Sequence, residues 1–459
     1  MVLTASPLTE DVMSKESLTT ITKIRSHAAG IDVGAQEHWV CVDPGLCTQP
    51  IKRFGSFTED LVAVVSWLVS LGIRSVAMEA TGVYWRELYL RLEEAGLEVL
   101  LADPRTTRNP RGRKTDMQDC QWIWELHAHG LLDGAFVPGP EVQQLRSYLR
   151  LRDTRVQLAG VAAQEMQRAM TLMNIKLQQV ISRITGTTGM RIITAILAGE
   201  RDPLVLAKLR DSRCAHDEAT IAKALRGTWR SEHLFHLRTA HGDYEHHQSV
   251  IANIDVAIDA LIRDLPHHGS DDTTLPKKAS TNGNDFAFDA RTASYLLCGV
   301  DLASIHGVGS LTALNLLGEV GFDLTAWPNA KAFCAWLGLC PNPKRSGGKH
   351  LGNLPTTANR AAGILRRSVI SMDRQDGPLA DFFRRISARK GRHSAIRATA
   401  HKIARIIYAM FRDRTGYDAK RLITELSEHA KRKILDRLTE KARALGMALV
   451  PQTPAGGVS

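Results

Sequence analysis

Ala28-Ala29-Gly30-Ile31-Asp32-Val33-Gly34 opens the first regular pattern of this 459-residue chain, and its reading decides the fold. Residues 29–33 form a short apolar run closed by a turn at Gly34, which predicts a strand. Second and third strands follow at 38–42 and 51–57. Thr58 then caps an amphipathic helix running to 71, with Glu59 and Asp60 in the first turn, where the helix dipole favours acids. Residues 75–79 read as a fourth strand, 84–95 as a helix and 98–102 as a fifth strand. Three consecutive strands and then helix–strand–helix–strand predict an α/β domain, and an RNase H-type sheet fits that order.

Beyond Pro140 the periodicity changes. Leu145, Leu149, Arg152, Val156, Ala159, Ala163, Met166, Met170, Met173, Leu177, Val180 and Ile184 alternate four and three apart, and Arg152 alone is polar. The spacing predicts one long helix with a heptad seam, in a coiled coil or helical hairpin suited to self-association, with a bend at Gly160. The alternative is a long helix packed within its own domain. Residues 186–262 read as mostly helical, and the Pro-, Ser-, Asn- and Asp-rich stretch 266–285 as a linker or exposed loop. From 295 to about 445 the pattern is helical again. The expected organisation is a loose arm at 1–27, an α/β domain at 28–139, a coiled-coil and helical region at 140–262, a linker at 263–294, a C-terminal domain at 295–445 and a tail at 446–459.

Composition narrows the class. Hydrophobic residues make up 44% and charged residues 23%, so the chain is neither disordered nor collagen-like. No apolar run is long enough for a membrane span, and the polar N-terminus does not read as a signal peptide. Seven cysteines without CxxC spacing point to a reducing compartment, hence to a soluble cytoplasmic protein. The histidines at 127 and 129, 246–247 and 267–268 lack ligand spacing and are expected at the surface. The net charge of +11 is concentrated: residues 341–414 hold 17 Lys and Arg against four acids, leaving the remainder at −2. Such a cluster suits a nucleic-acid backbone.

Four acids stand out by position. Asp32 lies inside an apolar strand, where a lone carboxylate is costly without a cation or hydrogen bonds to hold it. Glu79 ends the fourth strand, and Asp116 and Asp119 share one face of a helix at i and i+3. In an RNase H topology the first and fourth strands are neighbours, so the four would gather at one point. Oxygen-only ligands select Mg²⁺ or Mn²⁺, and two ions about 4 Å apart activate a nucleophile and stabilise a leaving phosphodiester oxygen. The structural alternative makes Asp116 a helix cap, Asp119 a dipole partner and Asp32 a turn residue.

The quoted segments carry a resemblance. Gly30-Ile31-Asp32-Val33-Gly34, Met78-Glu79-Ala80-Thr81-Gly82-Val83-Tyr84-Trp85 and Lys114-Thr115-Asp116-Met117-Gln118-Asp119 resemble the insertion-sequence transposases of the DEDD class, relatives of the Piv-type DNA invertases. Ile305-His306-Gly307-Val308-Gly309-Ser310-Leu311-Thr312-Ala313 resembles the opening of that family's C-terminal domain, and Phe333-Cys334-Ala335-Trp336-Leu337-Gly338-Leu339-Cys340-Pro341 its middle. Ser346-Gly347-Gly348-Lys349 resembles the segment that holds the family's serine nucleophile. The likeness spans about 30–185 and 300–415. It departs after Ser346, where Leu354-Pro355-Thr356-Thr357-Ala358-Asn359-Arg360 stands in place of a basic Gly-Asn stretch.

The resemblance implies a RuvC-like (RNase H-fold) N-terminal domain, long coiled-coil helices and a mostly helical C-terminal transposase domain. It further implies a homo-oligomer, dimer or tetramer, that works with Mg²⁺ and joins donor and target DNA under the guidance of an element-encoded bridge RNA. In this light Asp32, Glu79, Asp116 and Asp119 are expected metal ligands and Ser346 a catalytic nucleophile, although a serine in a glycine-rich basic loop is by itself an ordinary turn residue. Lys344, Arg345, Lys349, Arg360, Arg366 and Arg367 are expected to contact phosphates. Gly307 and Gly309 would aim backbone amides at one, in the manner of a helix-hairpin-helix. Two rival readings are a RuvC-type metal-dependent junction nuclease without a serine adduct and a non-catalytic nucleic-acid-binding scaffold.

Overall fold

The computed structural model describes residues 22–419 except 81, 104–106, 108–114, 271–272, 277–282, 341–342, 348 and 354–358, together with 435–436, 438–440 and 442–449; for 343–346 and 349–353 it describes the backbone alone. Most of the expected arm, most of the expected tail and the departing stretch 354–358 thus lie outside the described residues. The chain divides into two compact units, one up to Val137 and one from Pro138.

In the first unit β1 (Ala28–Val33), β2 (Glu37–Val42) and β3 (Ile51–Gly55) form an antiparallel meander. β4 (Ser75–Glu79) and β5 (Glu98–Ala102) extend the sheet in parallel on the far side of β1, giving the order β3-β2-β1-β4-β5 expected of an RNase H-like domain. Period-two alternation sorts the faces. Ala29, Ile31 and Val33 of β1 join Leu61, Val64 and Leu68 of α1 (Thr58–Ser70) and Leu88 and Leu92 of α2 (Trp85–Glu94) in one core. Ala28, on the other face, meets Cys120, Trp124 and Ala128 of α3 (Asp116–Ala128). Two local expectations are corrected. β3 ends at Gly55, and the helix is capped not by Thr58 but at Phe57, whose backbone N–H donates to the Asp60 carboxylate at 3.1 Å. His127 and His129, expected at the surface, are buried; His127 Nε2 lies 2.8 Å from Ser75 Oγ, and burial holds its pKa down at about 4.

The second unit is built on two long helices, α4 (Pro140–Leu172) and, numbered in chain order after the three helices between them, α8 (Ser231–Asp264). They run antiparallel: Arg152 pairs with Asp255, and thirteen residues further along α4 Glu165 pairs with His236 at 2.8 Å. The seam therefore belongs to a hairpin within the chain. It does not extend in one helix to Ile184, because α4 stops at Leu172, and Leu177 lies in a separate short 3₁₀ turn. Met166, Met170 and Met173 are fully buried against Ile192, Ile196, Leu206, Leu225 and Leu237 rather than awaiting a second copy. These partners come from α8 and from the insertion between the long helices, which holds α5 (Thr187–Leu197), α6 (Pro203–Ala207) and α7 (Glu218–Ala224). Gly160 produces no break in α4.

α9 (Ala290–Cys298), α10 (Ser310–Val320) and α11 (Ala330–Trp336) follow. The helical expectation for 295–445 then meets a correction, an antiparallel hairpin of β6 (Pro343–Ser346) and β7 (Lys349–Asn353). α12 (Arg360–Ser368), α13 (Pro378–Lys390) and α14 (Arg392–Asp413) complete the described fold. Among the described residues no helix is long and apolar enough to cross a membrane.

Candidate active site and nucleic-acid interface

The sheet of the first unit brings two of the four acids side by side, and α3 carries the other two. β1 and β4 pair in parallel with Ile31 opposite Met78, so the next step of the register sets Asp32 beside Glu79 at the C-terminal ends of both strands. α3 runs against β1. Ala128 in its last turn accepts backbone bonds from Ile24 and Arg25 (2.8 and 2.9 Å) just before β1 begins, and His127 meets the first residue of β4. Its first turn, which carries Asp116 and Asp119, is thereby directed toward the strands' C-terminal ends. Gly30 sets the approach: a Cβ there would lie 2.2 Å from the Trp124 backbone nitrogen and 2.7 Å from the Cys120 carbonyl. Asp32, two residues on, shares that face of β1.

Asp119 is half-buried and Asp116 exposed, and the cap of α3 is Thr115, not Asp116. Thr107 Oγ1 donates to Glu79 Oε2 at 2.7 Å. This buried threonine, in an irregular stretch with no periodic signal, escaped the sequence reading. The donor set fits a hard divalent cation, being carboxylate oxygen throughout. Among the described residues, however, no three His, Cys, Asp or Glu side chains stand close enough to hold an ion. The Cys41 thiol beneath stays protonated: a hydrogen bond with Cys120, followed by burial, raises its pKa far above the ordinary thiol range.

In the second unit Ser346 ends β6 and pairs with Lys349, the first residue of β7. Gly347 between them takes φ +54, the left-handed region that glycine enters at no steric cost, and is exposed. The turn thus presents Ser346 at the end of a hairpin. The Ser346 hydroxyl and the side chains of Lys344, Arg345 and Lys349 lie outside what is described. Gly307 takes φ +87, but a Cβ there would meet Met372 Cε at 2.5 Å and the Ser368 carbonyl at 3.0 Å, so it serves close packing. Gly309, the N-cap of α10, has nothing within 4 Å of an added Cβ and keeps the helix start approachable.

Arg360, Arg366 and Arg367 of α12 line a cleft of about 310 Å³ together with Arg146 and Arg150 of α4. Sequence reading missed the last two because it treated α4 only as a seam. Both are fixed from below: Arg146 Nε donates to the Gly318 carbonyl at 2.8 Å, and Arg150 makes two bonds to the Glu319 carboxylate at 2.8 and 2.7 Å. Five guanidinium groups against the acids Glu319 and Asp153 leave the cleft cationic. Arg384 and Arg392, farther along the same basic segment, are engaged within the chain. Arg392 pairs with Asp373 at 2.8 Å and Arg384 caps the Gln375 carbonyl at 2.7 Å.

Two family models match these regions. Residues 29–175 match a transposase model of the DEDD class named for IS110, and residues 301–372 match the model described as Transposase IS116/IS110/IS902 family. The chain carries the domains of an IS110-family transposase. It is an enzyme that cleaves and rejoins DNA. No curated protein matches the chain. The DEDD-class match carries divalent-metal dependence with it, without naming the ion, and the first match contains Asp32, Glu79, Asp116 and Asp119. The second contains Ser346, both glycines of the α10 start and all three arginines of α12.

Proposed function

We propose that this transposase joins donor and target DNA through a covalent bond to Ser346, assisted by Asp32, Glu79, Asp116 and Asp119 as ligands of Mg²⁺ or Mn²⁺. In this reading the Ser346 hydroxyl attacks a phosphodiester, loses its proton, and expels one deoxyribose hydroxyl. A hydroxyl from the other strand then attacks the phosphoserine and releases the serine, so the ester bond is conserved without an external energy source. Bound divalent ions supply charge neutralisation at a phosphoryl group in flight. The chain's own residues do the rest: the Gly347 turn holds Ser346 at a hairpin end, and the arginine cleft binds flanking phosphates. Carboxylate chemistry of the DEDD class needs no adduct when water is the nucleophile, so the serine step is a separate commitment. Guidance by an element-encoded RNA and assembly as a homo-oligomer complete the reading and rest on the family resemblance.

The observation that supports the carboxylate half is the parallel register that sets Asp32 beside Glu79, with the first turn of α3 directed to the same edge. A labelled donor–target reaction, run on a denaturing gel, tests both halves. Asp32→Ala or Glu79→Ala lowers recombination on the order of 10³-fold in a folded protein. Ser346→Ala still binds DNA but forms neither the protein–DNA adduct nor joined product. Nicking by Ser346→Ala at the wild-type rate would return catalysis to the carboxylates and water. RNA sequencing of the purified complex tests guidance.

A further inference from the structure

Beyond residue 175 the insertion between α4 and α8 lies outside both family matches, which end at 175 and resume at 301. It is more than a connection. Ile192, Ile193, Ile196, Leu206, Ile221 and Leu225 are fully buried and form a core with the distal half of the hairpin. Gly227 fits under α4, where a Cβ would lie 2.3 Å from the Met173 carbonyl. The surface over this core is basic. Residues 174–230 hold ten Lys and Arg against five Asp and Glu, an excess that the near-neutral sum over the rest of the chain conceals.

Part of the excess borders a cleft of about 670 Å³ at the start of α5, lined among others by Arg183, Arg213, His216 and Gln179. Arg183 is exposed and makes no ion pair among the described residues; Arg191, one turn into α5, is also exposed. Arg213 pairs with Asp211 at 2.9 Å, and its side chain is 83% exposed. The Arg213 guanidinium, with Arg191 behind it, holds the Asp211 carboxyl down at about 2, so the acid stays charged and orients Arg213 without cancelling the group. Two guanidinium groups against one carboxylate line the cleft, and Arg191, close enough to act on Asp211, adds a third cation beside it. Arginine forks match phosphate oxygens.

We infer that this face of the insertion is a second DNA contact, gripping the duplex backbone through Arg183, Arg191 and Arg213. The partner is a phosphodiester backbone read without regard to sequence, separate from the arginine cleft on α12. DNA is the assigned partner because the enzyme acts on DNA, and an RNA duplex serves as the competing arm of the test. The inference is independent of the serine and metal assignments above.

The test is DNA binding by the full-length protein between 50 and 200 mM salt, with a labelled duplex of about 40 base pairs and an RNA duplex of equal length. The triple variant Arg183→Ala, Arg191→Ala, Arg213→Ala lowers the slope of log K against log salt by about 2 to 3 and weakens low-salt DNA binding on the order of 10-fold or more. All three side chains are exposed, and an unchanged melting transition confirms the fold. The triple lysine variant, which keeps the charges, retains most of the slope. An unchanged slope and affinity in the alanine variant overturns the inference, as does a loss confined to the RNA duplex.

Discussion

The sheet unit and the long hairpin present the same problem, a lone charged residue in an apolar pattern, and resolve it differently. In β1 the residue is Asp32, one residue from the strand's C-terminal end and half-buried. In α4 it is Arg152, 3% exposed in the middle of the hairpin. Arg152 is satisfied internally: its Nη2 lies 3.1 Å from Asp255 Oδ2 and 2.9 Å from the Asp285 carbonyl, its Nη1 3.1 Å from the Asn284 carbonyl, and its guanidinium 4.0 Å from the Phe286 ring centre. The end of the supposed linker is thus fastened to the hairpin. A charge sealed in mid-hairpin sets register; a half-buried charge near a strand's end keeps contact with solvent.

The sharpest way to break that contrast is to remove the partner. Asp255→Ala leaves a buried guanidinium uncompensated and is expected to cost about 3 to 5 kcal/mol. Arg152→Met with Asp255→Leu, which removes both charges and keeps volume, costs much less. Urea unfolding of the three proteins decides it. Equal losses in the single and double variants would mean that packing, not the charge, holds the hairpin.

A smaller effect is expected where the sheet meets α3. Gly30→Ala puts a methyl group against the backbone of Cys120 and Trp124, and neither atom can swing away as a side chain could. A cost of about 1 to 3 kcal/mol follows from such overpacking. Because α3 carries Asp116 and Asp119, recombination falls with it. Wild-type stability and activity in Gly30→Ala would show that the helix approaches less closely than the sheet edge requires.

Sequence made the sheet legible because its code is local. Alternation along β1 assigns each residue to a face, and the strand–helix order leaves few topologies, so Asp32 and Glu79 are recognisable before any contact is known. The hairpin was legible as a helix and not as a pair. Heptad spacing states that a seam exists and says nothing of what fills it, and a copy of the chain and α8 satisfy it equally. Arg152 held the missing information, since a cation in a seam calls for a carboxylate opposite. Asp255, a hundred residues away in a helix with no strong pattern, could not be matched to it by spacing. Thr107 beside Glu79 and Arg146 and Arg150 beneath the cleft were hidden for the same reason: each acts through a tertiary contact.

The mildest perturbation uses the second informative glycine. Gly160 lies mid-helix in α4, exposed, with nothing within 4 Å of an added Cβ. It is the physical opposite of Gly30: same residue type, no neighbour to protect. Glycine there only adds chain entropy to the unfolded state, so Gly160→Ala is expected to stabilise the protein by about 0.5 to 1 kcal/mol. The hairpin should otherwise be unaffected, since Ala159 and Ala163 already carry the packing beside it. The measurement is the urea midpoint of Gly160→Ala beside that of Gly30→Ala, and the two shifts should have opposite signs. A destabilised Gly160→Ala would mean that α4 needs a close approach at that point, by a second chain or by nucleic acid, and would reopen the outer face of the hairpin as a contact surface.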